Sequence, residues 1–131
     1  MAAIRTLLVD DNATILASVE HFVNTLPDVE VIGRARSGQQ ALQLVGQLLP
    51  DLVLMDVDMP GMNGLEATRL IKRLSTAPRV IILSIHDQME YRDAATSVRA
   101  DAYISKGEIC PQLPATVRHL FQAPSQTYLA A

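Results

Sequence analysis

Three short and nearly unbroken apolar segments constrain the fold of this chain more than any other feature. They are residues 7–9, 52–55 and 80–83. Strands that are apolar on both faces need cover on both faces, and they occur almost only in parallel sheets flanked by helices. Two weaker segments, 29–32 and 102–104, complete a set of five. The first of these alternates more and has Arg34 and Arg36 just beyond it, which predicts an edge strand.

Between these segments, apolar residues recur with the period of a helix. Four stripes are regular and consist of Ile15, Val19, Phe22 and Leu26; Ala41, Val45 and Leu48; Ala67, Leu70, Ile71 and Leu74; and Leu113, Val117, Leu120 and Phe121. A fifth, sparser stripe contains Met89, Ala94, Ala95 and Val98. Possible capping boxes pair Ser37 with Gln40, Asn63 with Glu66, and Asp87 with Glu90. Five consecutive strand–helix units predict an α/β fold, a doubly wound five-stranded parallel sheet with right-handed crossovers.

Composition narrows the class of protein. A chain of 131 residues has the size of one domain, and with 49% apolar residues it can form a core. Its net charge of −3 gives no long-range attraction for DNA, RNA or an anionic membrane. A secretory signal and a membrane-length apolar segment are both missing from the sequence, so we expect a soluble cytoplasmic domain. The single cysteine, Cys110, excludes an internal disulfide.

Polar and charged residues of types that bind ligands or take part in reactions follow the predicted strands. Asp10 and Asp11 end the first strand, Asp56 the third and Ser84 the fourth, while Lys106 follows the fifth. Ligands of a doubly wound sheet bind beyond the carboxyl ends of its strands. We therefore expect three carboxylates, a hydroxyl and an ammonium to share one edge of the sheet.

Such a group has a definite chemistry. Two carboxylates about 4 Å apart repel by roughly 4 kcal/mol at an effective dielectric constant near 20, so three of them need raised pKa values or a cation. Oxygen ligands of this kind suit Mg²⁺, which also binds phosphate oxygens. An ionised aspartate is a nucleophile toward phosphorus, and a lysine with a serine can stabilise the equatorial phosphoryl oxygens.

The motifs at residues 9–12, 55–64, 82–84 and 103–106 resemble those of the response-regulator receiver domain of two-component signalling. The resemblance spans residues 4 to about 122. It implies a flavodoxin-like (βα)5 fold with strand order 2-1-3-4-5. It also implies a receiver domain over residues 1–122, followed by a tail or the start of a linker over 123–131.

The resemblance further implies a role for each site residue. A sensor histidine kinase would donate a phosphoryl group to Asp56. Mg²⁺ would be bound by Asp11 and Asp56, with Asp10 nearby and the backbone carbonyl of Asp58 completing the site. Ser84 and Lys106 would contact the phosphoryl oxygens. Tyr103 would turn inward as Ser84 shifts. The surface formed by the fourth helix, fifth strand and fifth helix would then bind a partner or a second copy.

Other functions remain open at this point. Asp56 and Asp58 have the spacing of the paired aspartates in aspartate-nucleophile phosphatases, although those enzymes usually carry them on the first strand. A flavin-binding module of similar topology would need a hydroxyl-rich loop where this chain has Asp10 and Asp11. Residues 31–42 resemble receivers that are fused to a helix-turn-helix domain. Such an output domain does not fit after Phe121. Either the chain acts alone through protein contacts, or it is the receiver part of a longer regulator that reaches DNA through its output domain.

Two residues depart from the usual receiver pattern. Ile85 is bulky where a small residue often follows the serine, and Gly107 stands where many members have proline. His86, two residues after Ser84, is expected at the same edge of the sheet, either as a loop residue or as a control on water access to Asp56.

Overall fold

A parallel five-stranded sheet forms the centre of the protein, whose computed structural model describes residues 3–59, 63–86 and 88–122. Its strands are β1 Ile4–Val9, β2 Val29–Ala35, β3 Leu52–Asp56, β4 Arg79–Ser84 and β5 Ala102–Ser105. They lie in the order β2-β1-β3-β4-β5, and every neighbouring pair is parallel. The predicted doubly wound, flavodoxin-like architecture is confirmed.

Helices cover both faces of this sheet. They are α1 Ala13–Val23, α2 Gly38–Leu48, α3 Gly64–Ile71, α4 Met89–Ser97 and α5 Ile109–Phe121, the last preceded by a 3₁₀ turn at Lys106–Glu108. Successive strand residues point to opposite faces. Val53 and Met55 therefore join the core under α2, α3 and α4, whereas Leu52 and Leu54 join the core under α1 and α5. None of the helices in the described ranges is both long and apolar enough to cross a membrane.

The second strand is three residues longer than the predicted segment, 29–32. β2 continues through Gly33 and Arg34 to Ala35, so Arg34 lies within the strand and not beyond it. A register shift between Thr6 and Leu7 of β1 accommodates the longer pairing. Gly33 lies inside the added part of the strand, where a Cβ atom would come within 2.8 Å of a Leu48 methyl group, so the strand packs closely against α2 at this position. The prediction that this strand lies at an edge is confirmed.

Three helical stripes differ from the prediction. Helix α1 ends at Val23, so Leu26 lies beyond it, and the buried residues of the helix are Leu16, Val19 and Val23. Helix α3 ends at Ile71, and Leu74 lies beyond it with an exposed side chain. In α4 only Ala95 is buried, while Met89 is 75% exposed. Helical periodicity shows which side of a helix is apolar, but it does not show how much of that side other elements cover. Helix α4 contacts β5, the edge strand of the sheet.

Side-chain caps begin two of the helices as predicted. Ser37 accepts a hydrogen bond from the backbone N–H of Gln40, and Asn63 accepts one from that of Glu66. Helix α4 differs, because its N-cap is Gln88 and the cap has no side-chain hydrogen bond. The predicted cap Asp87 lies outside the described residues, as does the predicted tail, 123–131.

Candidate functional site

The sheet brings three carboxylates together at the carboxyl ends of its central strands. Val9 of β1 pairs with Met55 of β3, so the residues that follow them, Asp10 and Asp56, lie side by side. Carboxylate oxygens of Asp10, Asp11 and Asp56 all lie within 4.8 Å of one another. Asp10 is 5% exposed and Asp56 is 1% exposed, so water screens their charges poorly. The predicted acidic cluster is present.

Backbone hydrogen bonds fix the β1–α1 loop that carries two of these carboxylates. The N–H of Asp10 donates to the carbonyl of Ala35 at 3.1 Å, which extends the β1–β2 pairing into the loop. Oδ1 of Asp10 accepts from the N–H of Asn12 at 2.9 Å. The Asn12 side chain in turn accepts from Thr14 and Ile15 as the N-cap of α1. The loop is thereby set by the start of a helix, as binding loops in α/β sheets commonly are.

Lys106 reaches this cluster from the end of β5. Its Nζ lies 2.7 Å from Oδ1 of Asp56 and 3.3 Å from Oδ2 of Asp10. Burial alone would lower the pKa of Lys106, but the contacts with Asp56 and Asp10 outweigh burial and raise it. Burial raises the pKa of Asp10; the Asn12 N–H opposes this, Asp56 adds to it, and Lys106 also opposes it. The ammonium is therefore a fixed positive charge between two carboxylates.

The second oxygen of Asp56 has no protein partner. Oδ2 of Asp56 is buried and accepts no hydrogen bond within the described residues, whereas Oδ1 accepts from Lys106 and from the N–H of Asp58 at 3.3 Å. A buried carboxylate oxygen without a partner is costly, and a ligand that binds there relieves the cost. Three carboxylates with one unpartnered oxygen fit Mg²⁺, a hard cation that takes oxygen ligands.

The start of α3 depends on a close approach of two backbones. A Cβ atom on Gly64 would lie 2.0 Å from the carbonyl oxygen of Asp56. Helix α3 therefore begins directly against the residue that carries the central carboxylate. Only glycine permits this approach, because every other residue carries a Cβ atom.

Ser84 lies at the end of β4 and belongs to a contact network around His86. Ser84 is fully buried, and its Oγ accepts from the N–H of His86 at 3.0 Å. The imidazole of His86 stacks on the ring of Tyr91 with centroids 4.2 Å apart, and its Nε2 lies 3.5 Å from Oδ1 of Asp58. The Tyr103 hydroxyl donates to the His86 carbonyl. His86 therefore connects the loops after β3 and β4 with α4 and β5.

The predicted site residues thus fall into two groups. Asp10, Asp11, Asp56 and Lys106 form the charged cluster, whereas Ser84, Tyr103 and Asp58 meet at or beside His86. Sequence reasoning missed Tyr91, which contacts His86 from the first turns of α4, and Arg36, which donates to the carbonyl of Asp11. The position of Arg36 directly after a strand was the one available signal.

A sequence model of the response regulator receiver domain matches residues 6–118. The chain belongs to the response regulator receiver domain family. Receiver domains of this family are signalling modules that bind Mg²⁺ at a cluster of aspartates, and Asp10, Asp11 and Asp56 are grouped in this chain.

Individual relatives agree with this assignment. The chain is 36% identical over 102 residues to the nitrate/nitrite response regulator protein NarL of Escherichia coli, which covers 76% of the chain and 46% of that protein. It is 31% identical over 128 residues to the response regulator UvrY of the same organism, covering 98% of the chain and 58% of UvrY. The chain therefore spans about half the length of the curated relatives it matches.

A solved structure of a response regulator has the same fold as this chain. A two-component response regulator of the LuxR family from Aurantimonas superposes with a TM-score of 0.85 at 27% identity. The superposition covers 91% of this chain and 85% of the other. The receiver fold is therefore common to this chain and a regulator of the LuxR family.

Proposed function

We propose that this receiver accepts a phosphoryl group on Asp56 from a sensor histidine kinase. The observation that carries the proposal is the state of the Asp56 carboxylate, with Oδ1 held by Lys106 at 2.7 Å and Oδ2 buried without a partner. One oxygen is thereby oriented and the other is left to react. Membership of the receiver family and similarity to proteins named response regulators support the same role.

The chemistry follows from the positions of the charges. Oδ2 of Asp56 attacks the phosphorus of the donor, the P–N bond to the donor histidine breaks, and the freed imidazole takes up a proton. A bound Mg²⁺ supplies positive charge to the transferring phosphoryl oxygens. Asp10, Asp11 and Asp56 are the residues to hold it, together with the backbone carbonyl of Asp58. Lys106 stays charged throughout and stabilises the product acyl phosphate.

The output of the switch runs through the residues around His86. In this proposal the hydroxyl of Ser84, which already accepts the His86 N–H, donates to a phosphoryl oxygen. The β4–α4 loop then moves, and Tyr103 moves with it because its hydroxyl is bonded to that loop. The altered surface of α4, β5 and α5 binds a partner or a second copy. Since the matched relatives are about twice as long, control of transcription through a DNA-binding output domain is the proposed outcome.

Labelling with a small phosphodonor tests the site assignment. Acetyl phosphate with Mg²⁺ is expected to add one phosphoryl group per chain, detected by intact mass and located by peptide mapping on Asp56. Asp56→Asn removes the nucleophile and should abolish the label. Asp51→Asn is a matched control, because Asp51 precedes β3 at the opposite end of the same strand and bonds the N–H of Arg5.

The same experiment separates the receiver from an aspartate-nucleophile phosphatase. A stoichiometric label that turns over slowly favours the receiver, whereas steady hydrolysis of many phosphate esters per chain favours the phosphatase. Equal labelling of the wild type and Asp56→Asn would refute the assignment of Asp56.

A further inference from the structure

Asp11 differs from the two other acidic residues in how it is held. Asp10 is fixed through its side chain by Asn12 and Lys106, and Asp56 is the last residue of a buried strand. The carboxylate of Asp11 is half-buried and lies in the three-residue loop between β1 and α1. Its direction depends on the orientation of its own backbone, and therefore on what holds the Asp11 carbonyl.

Arg36 supplies that contact from the neighbouring strand. Its NH2 group donates to the Asp11 carbonyl at 2.8 Å and its Nε donates to the same oxygen at 3.2 Å. The two N–H groups form a fork on one acceptor, which fixes the peptide plane better than a single bond would. Arg36 directly follows β2, and the β1–β2 pairing of Val9 with Ala35 brings it beside the loop.

A role in closing the β2–α2 turn does not explain the guanidinium. The turn is closed by the backbone N–H of Arg36, which donates to Oε1 of Gln40 at 2.7 Å, and by the Ser37 cap of α2. Any residue except proline would keep that backbone bond. The guanidinium therefore takes no part in closing the turn, and it donates its hydrogen bonds to the Asp11 carbonyl.

We propose that Arg36 is a positioning residue of the metal site: by holding the Asp11 carbonyl it directs the Asp11 carboxylate toward the ion shared with Asp10 and Asp56. The inference rests on the proposed function, since it assumes that the cluster binds Mg²⁺. Groups that hold the ligands of a metal, without touching the metal, commonly change its affinity by 10- to 100-fold when removed.

The sign of the effect distinguishes positioning from charge. A guanidinium near the cluster repels a divalent cation, so a role as a mere surface charge predicts that Arg36→Ala strengthens Mg²⁺ binding. A positioning role predicts the opposite, because the freed Asp11 carboxylate must be ordered each time the ion binds. We expect Arg36→Ala to weaken Mg²⁺ binding by on the order of tenfold.

The test is calorimetric titration of the whole chain with Mg²⁺ alone, without phosphodonor. Arg36→Lys keeps the charge and one donor and should recover part of the lost affinity. Arg34→Ala is the matched control: it removes an arginine two residues earlier, within β2, whose side chain pairs with Glu20 of α1 and not with the β1–α1 loop. Unfolding in EDTA should be similar for the wild type and the Arg36 variants, which separates the metal effect from folding.

Each result decides the inference. Weaker binding in Arg36→Ala with partial recovery in Arg36→Lys supports it. Unchanged or tighter binding in Arg36→Ala, or an equal loss in Arg34→Ala, overturns it while Asp56 labelling can still succeed. A wild-type chain that binds no Mg²⁺ would overturn both this inference and the proposed metal site.

Discussion

Removing the charge of Lys106 gives the most direct test of the electrostatics of this site. Lys106→Met keeps the length of the side chain and its apolar stem but deletes the ammonium that lies between Asp56 and Asp10. The side chain of Lys106 is 14% exposed, so water can replace the ammonium only in part. The variant therefore leaves three carboxylates close together with little compensation.

The size of the effect follows from the separation of the carboxylates. Oxygens within 4.8 Å of one another repel by at least about 3.5 kcal/mol per pair at an effective dielectric constant near 20. Breaking a buried ion pair by removing one partner typically costs about 3–5 kcal/mol. We expect Lys106→Met to lower the free energy of unfolding by about 3 kcal/mol at neutral pH in EDTA.

Two conditions should restore the lost stability. Mg²⁺ should narrow the gap, because the variant lacks the ammonium that repels the ion and should bind it more tightly; each tenfold lower dissociation constant stabilises the variant relative to the wild type by about 1.4 kcal/mol under saturating Mg²⁺. Acid should also help. Burial raises the pKa of Asp10, and losing Lys106 removes an opposing influence, so that pKa rises further. A group with a raised pKa adds stability at low pH, so the deficit should shrink as the pH falls.

Urea unfolding followed by circular dichroism measures these differences, with Lys72→Met as a matched control. The Lys72 side chain is 15% exposed and pairs with Asp101 at 2.9 Å, and Asp101 precedes β5 whereas Lys106 follows it, so the two ion pairs lie at opposite ends of that strand. Asp101 keeps its bonds to Arg79 and to the N–H of Val80, so the loss should be about 1.5 kcal/mol and independent of Mg²⁺. Lys106→Met with wild-type stability in EDTA, or with no response to Mg²⁺, would refute the reasoning.

Three further predictions concern the framework of the fold. Gly64→Ala should destabilise the protein severely and disturb labelling of Asp56, since its Cβ atom would lie 2.0 Å from the Asp56 carbonyl; thermal unfolding and labelling measure this. Leu49→Gly should raise the free energy of unfolding by about 0.5–1 kcal/mol, because Leu49 ends α2 with φ of 50° and an exposed side chain. Arg34→Ala should lower it by up to about 1 kcal/mol at neutral pH, measured by urea unfolding. The Arg34 hydrogen bonds lower the pKa of Glu20, so that difference should disappear as the pH falls through this lowered value.

Much of the fold could be predicted from the sequence because it depends on local patterns. Strands that are apolar on both faces require helices on both sides, and the alternation with helical stripes leaves a doubly wound sheet as the answer. The residues at the strand ends follow from the same logic, since parallel strands bring their carboxyl ends to one edge. Asp10, Asp11, Asp56, Ser84 and Lys106 were predicted at that edge in this way.

Other features depend on contacts between distant parts of the chain. The extra length of β2 comes from its pairing with β1, which continues as far as Val9 and Ala35. The exposure of Met89 depends on what packs against the first turn of α4, a helix of which only Ala95 is buried. Neither can be seen in the local sequence, because helical periodicity shows which side of a helix is apolar and not what lies opposite it.

The sequence by itself determined which chemical groups are present and at which edge of the sheet they gather, because alternation along strands and the parallel crossovers depend only on residue order. The tertiary structure alone decided which groups touch. Lys106 between two carboxylates, His86 against Tyr91, and Arg36 on the Asp11 carbonyl each join residues from different strands or helices. Such contacts depend on side-chain reach across the packed sheet, and spacing along the chain does not encode that reach.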